Sequence, residues 1–180
     1  MPETSSPSTG RERAVFKVFI KGPIEAVWRE ITKTESVQQA MFNMRLHTPG
    51  LRPGAPFQMR SKDGKLVGVV GEILEFDPPH RYVTTFKFTR EDDPPCRITY
   101  ELKEVAGGTE FVMTFDDLAP GTATAKQMLQ GGTLIINALK SLVETGRLPL
   151  GTRLLYVLFA LMAPFAPKST RVANWPLPES

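Results

Sequence analysis

The chain has 180 residues, of which 41% are hydrophobic and 23% are charged, values typical of a globular domain and not of a disordered or fibrous chain. The formal net charge is only +3 and the basic residues are scattered, so nucleic acid is not expected as a partner. The single cysteine, Cys96, has no partner for an intramolecular disulfide, and the polar N-terminus lacks the apolar segment of a signal peptide. A cytoplasmic location is therefore expected.

The N-terminal part predicts a leader, a strand and a helix. Residues 1–12 are rich in Ser, Thr and Pro and predict a flexible leader, so the domain is expected to occupy residues 13–146. Residues 15–20 predict a strand, after which Gly22-Pro23 opens a helix over residues 24–31. A second short turn of helix is predicted over residues 34–40.

The middle of the chain predicts an antiparallel meander. From residue 42 to residue 115, turn signals such as Asp63-Gly64 and Gly107-Gly108 separate successive apolar runs. Alternation is regular over residues 82–88, 98–103 and 111–115, so one face of the sheet is aromatic and Met-rich while the other is polar. The apolar face needs a cover.

Residues 123–145 are the predicted cover, because their apolar side chains recur at helical spacing and Gly146 then ends the helix. Gly131-Gly132 lies inside this helix, where each glycine costs about 1 kcal/mol relative to alanine. Two interpretations of the pair remain open. The glycines permit a close approach of the helix to the sheet or a ligand, or they mark a bend.

Four stretches of the sequence resemble the family named after the ATPase activator of heat-shock protein 90. They are residues 20–28 (IKGPIEAVW), 56–60 (PFQMR), 71–79 (GEILEFDPP) and 108–111 (GTEF), and the resemblance covers about residues 15–146. It implies an α+β helix-grip fold of the START-like (SRPBCC) superfamily. In that fold a curved antiparallel sheet of six to seven strands wraps a long C-terminal helix, with two short helices after strand 1. Members bind lipids, sterols or polyketides between sheet and helix.

The Met-rich and aromatic face has two open interpretations, a filled core and a ligand pocket. Tyr100 and Thr84 are the candidate polar groups of such a pocket. The candidate ligand-contacting residues are Trp28, Met41, Met44, Met59, Thr84, Phe86, Phe88, Tyr100, Met113, Phe115, Met128 and Ile135.

The sequence carries no Ser-His-Asp, Cys-His, phosphate-cradling or dinucleotide motif, and its two histidines, His47 and His80, form no zinc-ligand spacing with Cys96. No catalytic residue, metal ligand or cofactor is therefore assigned. Three functions are considered. The first is binding of a small hydrophobic ligand, lipid-like or polyketide-like; the others are a polyketide-cyclase-like enzyme and a co-chaperone or stress-related interaction protein.

Residues 147–180 form an extension that predicts an extra apolar helix. Its longest uninterrupted apolar run is about ten residues, too short for a transmembrane helix, which needs about 20. Three interpretations remain open: a lid packed on the domain, a homodimer contact, or a peripheral membrane anchor with Lys168 and Arg171 facing lipid headgroups. Because a helix that is apolar all around must be buried, we expect the extension to be packed on its own domain or on a second subunit.

Overall fold

The structure is a computed structural model that describes residues 10–178. Most of the predicted leader, residues 1–9, lies outside the described residues. The first strand begins at Glu12, one residue inside the predicted leader, because Glu12 pairs with Leu118 of the last strand.

Seven strands and three helices make up an α+β fold. In chain order they are β1 (Glu12–Ile20), α1 (Ile24–Thr32), β2 (Arg45–His47), β3 (Pro56–Arg60), β4 (Val67–Asp77), β5 (Arg81–Phe88), β6 (Cys96–Val105), β7 (Gly108–Leu118), α2 (Ala123–Thr145) and α3 (Leu150–Met162). Three short 3-10 turns follow, Ala163–Phe165, Lys168–Thr170 and Val172–Asn174. The predicted helix-grip arrangement is confirmed, since one antiparallel sheet in the order β1-β7-β6-β5-β4-β3-β2 packs around α2.

The sheet is bent by irregularities in its pairing. The register shifts between Glu12 and Ala14 in β1, between Met59 and Arg60 in β3, and between Ile73 and Glu75 in β4. Such bulges bend a strand and increase its twist. The alternation predicted for the later strands then places aromatic and methionine side chains on the concave face.

Helix α2 has the predicted bounds because both ends are capped. The Thr122 hydroxyl accepts a hydrogen bond from the Ala125 amide at 3.1 Å, and Gly146 ends the helix in the left-handed conformation at φ 71°. A Cβ on Gly132 would lie within 2.7 Å of three ring carbons of Phe16 on β1. Close approach to the sheet therefore accounts for Gly132, and α2 runs through it as one helix.

The second short helix predicted over residues 34–40 is wrong. Gln38 forms an isolated antiparallel bridge with Met44, and its side-chain amide donates to the carbonyls of Ile31 and Lys33 at 3.2 and 3.0 Å. Residues 34–40 themselves contain bends, the bridge and a turn, and Phe42 and Asn43, which follow them, have φ values of 55° and 58°. The segment is a tight turn held by the Gln38 side chain, which takes the place of helical backbone bonds.

The C-terminal extension lies across the domain. Its far end is fixed to the β3–β4 hairpin by the bridge between Leu66 and Arg171 and by a 2.6 Å hydrogen bond from the Gln58 amide to the carbonyl of Trp175. Within the described residues, no single helix has the length and apolarity to cross a membrane; α2 and α3 meet that criterion only as a pair bent by 119°.

Candidate ligand-binding site

A cavity of about 1870 Å³ lies between the concave face of the sheet, helix α2 and the C-terminal extension. The sheet contributes aromatic and branched side chains from β3 to β7, and α2 contributes the face that contains Met128, Leu134 and Ile135. Residues of the β3–β4 hairpin and of the turn around Phe42 also border the cavity. The cavity is thus an open volume beside the buried core, and Met113 and Phe115, which border it, also belong to that core.

Eleven of the twelve predicted ligand-contacting residues lie around this one cavity. They are Met41, Met44, Met59, Thr84, Phe86, Phe88, Tyr100, Met113, Phe115, Met128 and Ile135. Trp28 does not line it. Its ring packs on Phe76 and Tyr82, with centroids 5.4 and 6.4 Å away, whereas Ile31 of the same helix does border the cavity. Trp28 therefore contacts the wall residue Tyr82 without bordering the cavity itself.

Methionine recurs around the lining of the cavity. Six of the seven methionines in the sequence border the cavity: Met41, Met44, Met59, Met113, Met128 and Met162. A methionine side chain has three rotatable bonds and a polarisable sulfur, so it adapts to irregular apolar shapes. The lining is consequently suited to ligands whose shape varies.

Tyr82 and Tyr100 stack on each other in the cavity wall, with ring centroids 5.5 Å apart. Burial raises the pKa of both phenols above the ordinary value, so each stays neutral and can donate a hydrogen bond at physiological pH. Among the described residues no fully buried side-chain nitrogen or oxygen lacks a hydrogen-bond partner. Between residues 10 and 178 no group hydrogen-bonds with either hydroxyl, so both keep access to the cavity space.

The charged residues that border the cavity are mainly basic. Lys62, Lys65, Arg90 and Arg171 lie there together with one acid, Asp63, whose carboxylate is 4.0 Å from the ammonium of Lys65. A rim of this composition attracts an anionic group on a ligand more than a cationic one.

Helix α3 forms a wall that the sequence had not assigned to the site. Leu155, Tyr156 and Phe159 border the cavity, and the Tyr156 hydroxyl donates to the Gln39 carbonyl at 2.8 Å. The Phe42 ring lies 6.3 Å from the rings of both Tyr156 and Phe159. Because α3 is apolar apart from Thr152 and Arg153, periodicity barely distinguishes this inner face from the outer one; the signals are the charge of Arg153, which is exposed, and the polar tip of Tyr156.

The potential nucleophile of the sheet is held in an unreactive form. Cys96 is buried, and burial raises the pKa of its thiol to about 11. The reactive thiolate is therefore scarce at physiological pH. In the stretch from residue 10 to residue 178, no three His, Cys, Asp or Glu side chains are grouped as metal ligands.

Solved structures with the same fold have low sequence identity to this chain. The protein MLL2253 from Mesorhizobium loti is 20% identical with a TM-score of 0.61, and the match covers 73% of this chain and 96% of that protein. The Aha1 dimer from Colwellia psychrerythraea is 15% identical with a TM-score of 0.62 and coverage of 76% and 98%. DynU16, a protein in the dynemicin biosynthetic locus, is 18% identical with a TM-score of 0.61 and coverage of 78% and 49%.

Sequence comparison gives the family directly. None of the curated proteins matches the chain significantly. The family model described as "Activator of Hsp90 ATPase homolog 1-like protein" matches residues 21–144, which is well over half of the chain and runs from just before α1 to the end of α2. The chain therefore belongs to the activator of Hsp90 ATPase homolog 1-like family.

Proposed function

We propose that the protein binds a small hydrophobic ligand, lipid-like or polyketide-like, in the cavity between the sheet, α2 and α3. The observation that carries the proposal is the cavity itself, about 1870 Å³ bordered by six methionines and by an aromatic layer. Ligand pockets are usually concave, mostly apolar and supplied with a few polar groups, and this cavity has that composition.

The volume argues for a ligand larger than a typical metabolite. Small-molecule pockets usually measure about 300–1,000 Å³, and this cavity exceeds that range. An extended hydrocarbon or a fused-ring body fits such a volume, whereas a small polar molecule would leave most of the apolar wall in contact with water.

The polar groups sit where an amphipathic ligand would use them. The hydroxyls of Tyr82, Thr84 and Tyr100 lie in the wall, and Lys62 and Lys65 lie at the rim. A ligand with an apolar body and an oxygen-bearing or anionic end can bind both the hydroxyls of the wall and the ammonium groups of the rim. Binding of such a ligand needs no catalytic group.

Filling the cavity is expected to block binding. Leu134 is half-buried on α2 and borders the cavity, so Leu134→Trp places an indole in the volume that the ligand occupies. We expect the affinity for a fluorescent fatty acid to fall at least tenfold, because the larger ring excludes the ligand. Fluorescence titration measures the affinity, and thermal unfolding shows that the fold is retained.

Leu129→Trp is the matched control. Leu129 is on the same helix but is 44% exposed and does not border the cavity, so this variant is expected to bind as the wild type does. If the wild type and both variants bind the fatty acid equally well, the probe binds outside the cavity. If the wild type shows no saturable binding, the proposed function is contradicted.

An enzyme of the polyketide-cyclase type is the second candidate, favoured by the neutral phenols of Tyr82 and Tyr100 in the cavity and by the likeness to DynU16. We expect native mass spectrometry of protein purified from its own host to show one bound apolar molecule that remains unchanged on incubation. Conversion of that molecule to a product of different mass would favour the enzyme. Co-chaperone activity ranks behind both, because contact with a chaperone does not require an internal cavity.

A further inference from the structure

The outer face of α3 is an exposed apolar surface. Leu150, Leu154 and Leu161 are 78%, 73% and 67% exposed, and their spacing of four and seven residues aligns them along one side of the helix. Val157 and Leu158 lie between them and are also more than half exposed, as are Met162 and Phe165, which border the cavity as well. A contiguous apolar patch of this kind marks an interaction surface.

Between residues 145 and 178, which include α3, every charged residue is basic, and Arg171 among them also borders the cavity. Arg147, Arg153, Lys168 and Arg171 are exposed, and residues 145–178 contain no Asp or Glu. Within residues 10–178, none of the four forms a salt bridge. The surface therefore combines apolar side chains with unneutralised cations.

We propose that the outer face of α3 docks on a membrane surface that contains anionic lipids. In a symmetric dimer the same patch faces itself, so the four cations would meet the cations of the second copy. Anionic headgroups neutralise them instead, and acyl chains accept the apolar side chains. The helix has 13 residues and is about 20 Å long, shorter than the bilayer core of about 30 Å, so it lies in the interface.

Docking places the cavity next to the bilayer. The inner face of the same helix, with Leu155, Tyr156 and Phe159, borders the cavity. An acyl chain that enters past α3 passes from lipid to cavity with little exposure to water. This loading step rests on the function proposed above, whereas the docking step does not.

The test is co-sedimentation of the full chain with vesicles. The chain is expected to bind vesicles of phosphatidylcholine and phosphatidylglycerol in equal parts, and to bind at least tenfold more weakly to phosphatidylcholine alone. Leu154→Ser with Leu161→Ser is expected to weaken binding to the mixed vesicles at least tenfold. The control pair is Val15→Ser with Leu74→Ser, which changes exposed apolar residues of the sheet and is expected to leave binding unchanged.

The cations have a separate pair of variants. Arg153→Gln with Lys168→Gln is expected to weaken binding to the mixed vesicles about 30-fold, the equivalent of about 1 kcal/mol for each cation near an anionic surface. Lys103→Gln with Lys126→Gln removes two exposed cations elsewhere and is expected to have little effect.

Several results would overturn the docking proposal. One is a wild type that does not bind the mixed vesicles, and another is a Leu154→Ser, Leu161→Ser variant that binds them as well as the wild type does. A third is a wild-type dimer, detected by sedimentation velocity, that the same two substitutions dissociate. Fatty-acid titration of the same variants separates the two proposals. Lost vesicle binding with retained fatty-acid binding supports docking, and a wild type that takes up fatty acid but ignores vesicles refutes docking alone.

Discussion

Gly71→Ala is expected to destabilise the fold by about 3 kcal/mol, because β4 comes too close to its neighbours at Gly71 for any side chain. A Cβ there would be far inside van der Waals contact with the Thr85 carbonyl oxygen of β5 and 2.6 Å from the Phe57 ring of β3. Neither neighbour can give way cheaply, since one is backbone and the other is buried in the core. Thermal unfolding should show a melting temperature about 10 °C lower.

Gly68→Ala is the matched control on the same strand. Its added Cβ meets the terminal methyl of Met44 at 2.5 Å, and a methionine side chain can swing aside. Both substitutions gain the same intrinsic preference of alanine over glycine in a strand, so their difference isolates the close approach. Melting temperatures within about 2 °C of each other would contradict the packing described for Gly71.

Strong local patterns in the sequence predicted most of the fold. The regular alternation of β5 to β7 identified the concave face, and the helical spacing with Gly146 gave the bounds of α2. The helix predicted over residues 34–40 was wrong because helix propensity does not report the hydrogen bonds of the Gln38 side chain. That side chain donates to two carbonyls at the end of the preceding helix and stabilises a turn.

The lining of the cavity was predictable on the sheet and not on the extension. Alternation assigned Phe86, Phe88 and Met113 to the concave face because the opposite face is polar. Helix α3 offers little such contrast: apart from the Tyr156 hydroxyl, Tyr156 and Phe159 on its inner face are as apolar as Leu154 and Leu161 on its outer face. The side that faces the domain is decided by partners distant in sequence, above all Phe42, and no local pattern reports them.

Ending the chain after Gly146 is expected to abolish tight ligand binding, because it removes the α3 wall of the cavity. The truncation deletes the contacts of Phe42 with Tyr156 and Phe159, and the attachment of Arg171 and Trp175 to the β3–β4 hairpin. Water then reaches the aromatic layer and the methionines. We expect affinity for a fluorescent fatty acid to fall at least tenfold and the melting temperature to fall by about 5 °C.

The expected loss of stability on truncation is small because two free-energy contributions of the extension oppose each other. Burial of one Leu or Phe side chain is worth about 1.5–3 kcal/mol, but ordering the extension costs about 1 kcal/mol or more per residue, so its net contribution to stability is small. The expected loss of ligand affinity is large, because truncation removes one whole wall of the cavity.

Tyr156→Phe, which removes only the hydrogen bond to the Gln39 carbonyl, is the graded control and should weaken fatty-acid binding less than tenfold. A truncated chain that keeps wild-type affinity for the fatty acid would show that the ligand sits between sheet and α2 alone and that α3 has no part in holding it.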